Sequence, residues 1–373
     1  MIYFDSAATT LQKPQSVAFA MQTAVQRMSS PGRGGHPAAV KAANTAFRCR
    51  EELAALFHVA EPERVVFTMN ATHGLNIAIK TLVPAGGKVV ISGYEHNAVT
   101  RPLAALNAVV TVAEAPLFLR DAAVEAFQKA ITADTCAVIC NHVSNVFGFE
   151  QPIEEIAAIC RERGVPLIVD ASQSAGVVPL DMEKLGAAFI AMPGHKGLYG
   201  PQGTGVLLCG TGYEVKPLLE GGTGSLSIQQ TMPDFLPDRL EAGTHNMPGI
   251  AGLLAGVRYV RAQGVEKIRK MERQLAFAAA EGLRRMPEVR VLAHPKLENQ
   301  MGVVSFVPQK KDVEAVGEAL ANRGIAVRSG FHCAPLAHRS ADTLETGTVR
   351  ISFSNFNTQE EVRQFLMHLQ RCL

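Results

Sequence analysis

Tryptophan is absent from this chain of 373 residues, and tyrosine occurs only five times. Proteins that bind single-stranded nucleic acid stack its bases on aromatic side chains, and the lack of tryptophan and scarcity of tyrosine therefore argue against such binding. The 36 basic and 34 acidic residues nearly cancel, which gives no electrostatic steering toward polyanions or membrane surfaces. We therefore expect neither a nucleic-acid partner nor a membrane partner.

The number and spacing of the cysteines argue against disulfide bonds and metal sites. Seven cysteines occur, at positions 49, 136, 140, 160, 209, 333 and 372, and none forms a Cys-x-x-Cys pair. An odd count without paired spacing indicates no disulfide framework, and the usual zinc and iron–sulfur ligands are missing. Residues 1–5 show no signal-like segment, and the apolar runs are too short to span a bilayer. We expect no metal centre and a reducing, cytoplasmic location.

Short β-branched segments alternate with helical patterns over the first 210 residues. Strands are predicted at 65–68, 88–92, 137–140, 166–170, 187–191 and 205–208, and helices at 39–57, 72–82, 97–106, 121–130 and 152–163. This alternation predicts an α/β fold with a largely parallel sheet between helices. Ligands in such folds bind beyond the carboxyl ends of the strands.

The remaining chain has a different pattern. One long helical segment is predicted over 248–285, followed by strands at 302–306, 325–328 and 347–353 and helices at 311–323 and 358–371. Thr358 and Glu361 have the spacing of a capping box. We predict a large domain at 16–250 and a smaller α+β domain at 251–373 that includes residues 1–15.

Asp170 and Lys196 form the most informative pair. Asp170 ends an apolar strand, and Lys196 lies in the Gly-rich turn Gly194-His195-Lys196-Gly197. Pyridoxal phosphate (PLP) chemistry requires a lysine for the cofactor aldehyde and a carboxylate that keeps the pyridine nitrogen protonated. Each segment alone could be an ordinary strand end or a surface lysine, but the two together favour this chemistry.

Three other turns follow predicted strands. The turn Asn70-Ala71-Thr72-His73-Gly74 could hold a phosphate at a helix N-terminus, although many strand-to-helix turns look similar. His96 could stack on a flat cofactor or be a surface residue. Asn145 could bind a ring hydroxyl or form an Asx turn.

Arg328, Arg350 and Cys333 are candidates in the last part of the chain. Both arginines follow a valine, and either could bind a substrate carboxylate through two hydrogen bonds or be surface charge on an edge strand. Cys333 lies in the polar loop Arg328-Ser329-Gly330-Phe331-His332-Cys333-Ala334-Pro335, where nearby cationic groups would favour its thiolate.

These motifs, read in order, resemble the cysteine desulfurase and selenocysteine lyase family. That family lies within the class V aminotransferases of PLP fold type I, and the resemblance implies a mostly parallel, seven-stranded-type sheet. It runs nearly end to end and is carried by segments 3–10, 33–36, 95–97, 142–148, 169–173, 194–196, 241–244, 328–334 and 350–354.

The resemblance implies PLP as cofactor and a role for each matching residue. Lys196 would be the Schiff-base lysine, Asp170 the partner of the pyridine nitrogen, and His96 the stacking residue. Gln173 and Asn145 would contact the ring hydroxyl, and the phosphate would be bound by Ala71, Thr72 and His195 and by Thr223 of a second subunit. Arg350 would bind the substrate, with Arg328 and His36 as further candidates. Cys333 would accept the sulfur.

The implied reaction converts L-cysteine to L-alanine in a homodimer. Lys196 would remove the Cα proton, and the Cys333 thiolate would attack the substrate sulfur to leave a persulfide that a sulfur-acceptor protein could receive. Two alternatives stay open: a selenocysteine lyase or other PLP-dependent β-lyase, and a non-catalytic sulfur-relay scaffold.

Four positions depart from the family pattern. Pro193 stands where many members have a serine that contacts phosphate, and Gly197 is an additional glycine after the lysine. His73 replaces a common glutamate, and Phe331 replaces a common histidine. The last two departures could alter substrate preference or the sulfur acceptor.

Overall fold

The computed structural model describes residues 1–32 and 34–373. Its strands are β1 Ile2–Tyr3, β2 Val65–Thr68, β3 Lys88–Ser92, β4 Val109–Ala113, β5 Thr135–Asn141, β6 Leu167–Asp170, β7 Phe189–Pro193, β8 Gly205–Cys209, β9 Val289–Leu292, β10 Val303–Pro308, β11 Ile325–Ala326, β12 Arg328–Gly330 and β13 Thr348–Ser352. Its α-helices are α1 Gln15–Arg27, α2 Pro37–Phe57, α3 Ala71–Leu82, α4 Asn97–Ala105, α5 Arg120–Ala130, α6 Ile153–Glu162, α7 Met182–Leu185, α8 Met247–Gln263, α9 Val265–Arg284, α10 Val313–Ala321, α11 Pro335–Ser340 and α12 Gln359–Gln370.

A seven-stranded sheet with the order β2-β8-β7-β6-β5-β3-β4 forms the centre of the fold. Neighbouring strands pair in parallel except β8, which is antiparallel to both β7 and β2. Two parallel neighbours must be joined by a crossover, usually a helix, but residues 194–204 between β7 and β8 contain no helix. The chain therefore reverses direction there, and Lys196 lies in the reversing turn. The strand pairing confirms the predicted mostly parallel sheet.

The two faces of the sheet are covered by different helices. Val138, Val169 and Leu208 belong to one core cluster with residues of α2, α5, α6 and α8, whereas Ile139 and Ile168 belong to another with residues of α3 and α4. Because adjacent strand residues point to opposite faces, this division follows the period-two pattern. The predicted arrangement of helices on both faces is confirmed.

A second sheet has the antiparallel order β12-β13-β10-β9. Its core includes residues of α9, α10 and α12 together with Phe4 from the N-terminal segment, and β1 pairs with β11. Helix α8 crosses the predicted boundary at residue 250, and its Leu253 and Val257 pack in the core of the large sheet. The domain boundaries stay a prediction.

Two predicted elements differ from the structure. The long helix predicted over 248–285 is wrong, because α8 and α9 are separated at Gly264, whose φ of 81° is in the left-handed region. The strand predicted over 325–328 is also two strands: β11 pairs with β1, and β12 pairs with β13. The Thr358–Glu361 capping box is confirmed.

Several elements had no predicted counterpart. Helix α1, the edge strand β4 and strand β9 are examples. Val109 and Val110 of β4 are exposed, so this strand lacks the alternation of buried and exposed positions that marks a half-buried strand. Across residues 1–32 and 34–373, no helix is long and apolar enough to cross a membrane.

A buried ion pair fixes the loop between β8 and α8. Glu241 accepts hydrogen bonds from both terminal nitrogens of Arg50, at 2.8 and 2.6 Å, and from the backbone N–H of Phe67, at 2.6 Å. The Arg50 guanidinium also lies 4.1 Å from the centroid of the Phe67 ring. The motif at 241–244 therefore attaches this loop to α2 and β2.

Candidate active site

Parallel pairing brings three strand ends to one edge of the large sheet. Asn141 of β5, Asp170 of β6 and Ala191 of β7 are in register. A cavity lies at this edge, and its lining includes most of the predicted cofactor-binding side chains. The lining residues are Asn70, Ala71, Thr72, His96, Ala98, Asn141, Val143, Asn145, Asp170, Ser172, Gln173, Pro193, His195 and Lys196.

Asp170 is buried at the end of β6, where its Oδ1 accepts a hydrogen bond from the backbone N–H of Ser172 at 2.9 Å. Glu95 is fully buried near this strand end and accepts hydrogen bonds from Ser92 Oγ at 2.5 Å and from the backbone N–H of Asn141 at 2.7 Å. Burial raises the pKa of Glu95 to about 8. Glu95 was not among the predicted site residues, because its only signal in the sequence was its position before His96.

Lys196 is half-buried, and burial lowers its pKa to about 8, an effect that Asp170 opposes. The turn is held through the backbone carbonyl of His195, which accepts hydrogen bonds from Thr10 Oγ1 at 2.9 Å and from Lys13 Nζ at 2.8 Å. A Cβ atom on Gly197 would lie 2.4 Å from the backbone oxygen of Ala175. This close approach gives the additional glycine a steric reason.

His96 is the N-cap of α4 and also forms part of the cavity wall. Its Nδ1 accepts a hydrogen bond from the backbone N–H of Ala98 at 3.0 Å, which fixes the ring. Burial lowers the pKa of His96, so the imidazole is neutral near pH 7. A fixed, neutral ring is suited to stacking on a flat aromatic group.

The N-terminus of α3 opens onto the cavity. Asn70 is its N-cap and accepts a hydrogen bond from the backbone N–H of His73 at 2.9 Å, while Ala71 and Thr72 form the first turn. Unpaired N–H groups at such a terminus favour an anion. His195 contacts Thr9 Oγ1 at 2.9 Å through Nδ1, and burial lowers its pKa to about 4.

Gln173 is held by the N-terminal segment, and Asn145 is held by the Cys333 loop. Gln173 Nε2 donates a hydrogen bond to the backbone oxygen of Ala7 at 2.9 Å. Asn145 Nδ2 donates to the backbone oxygen of His332 at 2.9 Å, but its buried Oδ1 has no partner among the described residues. A buried acceptor without a partner is costly, so a donor on a bound molecule would fit there.

The two arginines lie directly opposite each other on neighbouring strands, Arg328 on β12 and Arg350 on β13. Arg328 is on the edge strand, and its Nη2 lies 4.0 Å from Cys333 Sγ. Arg350 is buried on an inner strand and pairs with Asp5 at 2.7 Å. Surface charge on an edge strand, the alternative for both, is therefore wrong for Arg350.

Cys333 is exposed in a loop that is fixed to both parts of the fold. Its backbone oxygen accepts a hydrogen bond from the N–H of Asn97 at 2.8 Å. The preceding His332 is buried, and its Nε2 is 3.0 Å from Thr348 Oγ1. Both His332 and Cys333 have left-handed φ values, of 50° and 57°. No local sequence pattern indicates the contacts that hold this backbone.

Other predicted residues lie outside the cavity. His36 is the exposed N-cap of α2 and accepts a hydrogen bond from the N–H of Ala39 at 3.4 Å. Thr223 lies in the β8–α8 loop, 3.2 Å from Ser225 Oγ. His73 lines a separate pocket beside β2, and Arg33 of the 33–36 motif lies outside the described residues. The functional roles of His36 and Thr223 stay predictions.

The structure shows what surrounds two of the positions that depart from the family pattern. Pro193 ends β7 and lines the cavity, where its side chain offers no hydroxyl group. Phe331 is exposed, and its ring meets that of His338 edge-on at 5.5 Å between centroids. The loop around Cys333 therefore presents an apolar ring where a histidine is common.

Comparison with known proteins identifies the family. Residues 2–365 match the family model of class V aminotransferases, and the chain belongs to this family. A probable cysteine desulfurase of Pyrococcus abyssi is 34% identical over an alignment 385 residues long, gaps included. The alignment covers 98% of this chain and 92% of that protein. A cysteine desulfurase of Escherichia coli O157:H7 is 33% identical over 387 residues, covering 100% and 93%.

Solved structures agree with these sequence relatives. The apo structure of a cysteine desulfurase from Thermococcus onnurineus NA1 superposes with a TM-score of 0.90 at 33% identity, covering 99% of this chain and 94% of that one. The E. coli cysteine desulfurase CsdA gives a TM-score of 0.87 at 26% identity, with the same coverage. The resemblance stated from the motifs and the predicted fold type are confirmed.

We predict that Cys333 is the first cysteine to react with iodoacetamide. It is the exposed cysteine, Cys136 is half-buried, and the other five are buried. Burial also raises the thiol pKa of Cys49, Cys160 and Cys209 to about 12, which suppresses their thiolates. Peptide mass spectrometry after brief labelling should find the label at Cys333, and Cys333→Ser should remove the fast phase.

Cys136→Ser is the matched control for this labelling and should leave the fast phase intact. Fast labelling that survives Cys333→Ser would contradict the assignment of Cys333 as the accessible thiol.

Proposed function

We propose that this protein is a PLP-dependent cysteine desulfurase that converts L-cysteine to L-alanine and collects the sulfur on Cys333. The observation that carries the proposal is the shared edge of the sheet, where Lys196, Asp170 and His96 line one cavity. Cys333 is attached to the same edge through Asn97, which follows His96. Family membership and the named relatives support the same activity.

The residues of the cavity fit PLP. A carboxylate, an amine of lowered pKa, a fixed imidazole and a helix N-terminus are the groups that a phosphorylated pyridine aldehyde needs. The unpartnered Oδ1 of Asn145 offers an acceptor for a ring hydroxyl. Bound PLP would supply an electron-accepting ring that stabilises negative charge at the substrate Cα.

Lys196 and Asp170 have complementary tasks in this proposal. Lys196 would hold the cofactor and then move the Cα proton, because an amine whose pKa is about 8 exchanges protons readily near neutral pH. Asp170 would keep the pyridine nitrogen protonated through its negative charge. His96 would cover one ring face, and Ala71, Thr72 and His195 would surround the phosphate.

Arg350 and Cys333 would act on the substrate. Arg350 would bind the carboxylate through its guanidinium. The Cys333 thiolate would form an S–S bond to the substrate sulfur while the substrate Cβ–S bond breaks and its electron pair stays on the carbon skeleton. That skeleton takes up a proton and leaves as alanine, and a persulfide remains on Cys333. The Arg328 guanidinium lies beside this sulfur, with its Nη2 4.0 Å from Sγ.

A homodimer completes the proposal. Thr223 is not part of the described lining of the Lys196 cavity, and it borders a separate concave surface with Ser225 and Arg239. A phosphate contact from Thr223 would therefore come from a second copy of the chain. A sulfur-acceptor protein would meet the exposed side of Cys333.

We predict that the wild-type protein releases equal amounts of alanine and sulfide from L-cysteine in the presence of a reductant. Lys196→Ala should lower the rate by roughly 10²–10⁴-fold or more, since it removes both cofactor attachment and proton transfer. Cys333→Ala should lose alanine formation from L-cysteine, whereas Cys136→Ala, the matched control, should keep it.

Other outcomes separate the alternatives. Activity of Cys333→Ala on L-selenocysteine alone would favour a selenocysteine lyase, because selenium leaves more readily than sulfur. Alanine release from L-cysteine that does not depend on Cys333 would favour another β-lyase. A colourless protein that takes up no PLP would favour the scaffold.

A second prediction concerns the pH dependence of PLP uptake by the apoprotein. Only the neutral amine attacks an aldehyde, so the uptake rate should level off above about pH 8, the lowered pKa of Lys196. Below that pH the rate should fall about tenfold per unit as the amine protonates. Visible absorbance of bound cofactor measures this rate in stopped flow.

Two controls accompany the uptake experiment. N-acetyl-lysine methyl amide reports how PLP itself changes reactivity with pH, and Lys196→Ala reports non-covalent binding. A rate that keeps rising to about pH 10, the ordinary range of lysine, would show that burial does not lower this pKa.

A further inference from the structure

Asp5 is the carboxylate that meets Arg350, and the proposed function gives it no task. It follows β1 and forms a bridge with Ser352, the last residue of β13. Its Oδ1 accepts a hydrogen bond from Arg350 Nη2 at 2.7 Å. The Arg350 side chain is only 1% exposed, whereas that of Asp5 is 20% exposed. Asp5 therefore keeps some access to solvent, whereas Arg350 has almost none.

Arg350 needs a compensating charge at this position. Arg328 lies directly opposite on the neighbouring antiparallel strand, and like charges placed this way repel each other. Burial lowers the pKa of Arg350, and the nearby Asp5 opposes that effect. Among the described ion pairs, Asp5 is the partner that offsets the charge of Arg350.

The hydrogen bonds orient the guanidinium without using all of its donors. Nη2 donates to Asp5, and Nη1 donates to the backbone oxygen of Asn145 at 3.0 Å. Each terminal nitrogen carries two hydrogens, so one remains on each for an incoming carboxylate. Partners on both nitrogens, from two different segments, prevent rotation of the plane. Two N–H groups fixed in one plane are what bidentate carboxylate binding requires.

Asp5 is itself held by its surroundings. Tyr3 Oη donates a hydrogen bond to the backbone oxygen of Thr9 at 2.8 Å and lies 3.3 Å from that of Asp5. The backbone N–H of Ala7 donates to Ser352 Oγ at 2.8 Å. The N-terminal segment therefore presents the Asp5 carboxylate from a fixed backbone.

We propose that Asp5 is a positioning residue that fixes the Arg350 guanidinium for the carboxylate of the amino-acid substrate. This role rests on the proposed function, which assigns the substrate carboxylate to Arg350. Asp5 shares Arg350 with the substrate and does not compete for it. It sets substrate affinity and leaves the transfer of sulfur to Cys333 unchanged.

Kinetics of the PLP-loaded Asp5→Asn variant test this role. Asparagine keeps one acceptor oxygen but removes the charge, so the KM for L-cysteine should rise roughly tenfold while kcat stays within about twofold. Asp121→Asn is the matched control, an exposed aspartate in the first turn of α5, and it should change neither constant.

Equilibrium binding separates positioning from a merely structural role. L-Alanine carries the carboxylate, and cysteamine carries an amine and a thiol without it; both are titrated by the change in cofactor absorbance. Asp5→Asn should bind L-alanine roughly tenfold more weakly and cysteamine as wild type does. Equal weakening of both ligands would overturn the proposal, as would tighter binding of L-alanine, which would mean that Asp5 competes with the substrate.

A second variant keeps the test decisive if Asp5→Asn does not fold. Asp5→Glu retains the charge but moves the carboxylate by one methylene, so it should bind L-alanine with intermediate affinity and cysteamine normally. Unchanged L-alanine affinity in Asp5→Glu would then overturn the proposal. If the wild type neither turns over L-cysteine nor binds L-alanine, the proposed function fails; if it does both and the Asp5 variants match it, only the role of Asp5 fails.

Discussion

The parallel pairing of β5, β6 and β7 is the constraint on which the site depends. Their register aligns Asn141, Asp170 and Ala191, so their carboxyl ends meet at one edge. The chain then turns directly into the antiparallel strand β8, and that turn carries Lys196 beside Asp170. A shift of one residue in β6 would turn Asp170 to the opposite face of the sheet and separate the pair.

A second property of the site is its balance of positive and negative charge. Lys196, Arg328 and Arg350 bring positive charge toward one cavity edge, where Asp170 and Asp5 supply the negative charge. Burial favours the neutral amine of Lys196, whereas the Asp5 pair and the backbone oxygen of Asn145 keep Arg350 in place. Chemistry that uses a neutral amine and binds the carboxylate of a substrate fits this distribution.

Asn145 connects the two sheets at this point. Its amide group holds the backbone of His332 beside Cys333, and its backbone oxygen accepts a hydrogen bond from Arg350. The Cys333 loop is therefore tied to the large sheet through Asn145 and Asn97, although its neighbouring strands belong to the small sheet. This explains how a thiol far along the chain reaches the edge that carries Lys196.

The parts of the site that follow strand ends were predictable, since apolar segments mark Asp170 and the turn after β7 marks Lys196. Arg350 was a candidate from the sequence and its role stays a prediction, but its burial was not predictable because a Val-Arg pair also suits an edge strand. Asp5, Glu95 and His332 depend on partners far away in sequence, and no local pattern reports such contacts. The break between α8 and α9 was missed because the helical pattern of apolar residues continues across Gly264.

The most direct test of the central claim is mass spectrometry of the PLP-loaded protein after a single turnover of L-cysteine without reductant. The account predicts that the peptide containing Cys333 gains the mass of one sulfur atom, that the other six cysteines gain none, and that Cys333→Ala protein stays unmodified. Alanine formation without added sulfur on Cys333, or with sulfur on another cysteine, would contradict it.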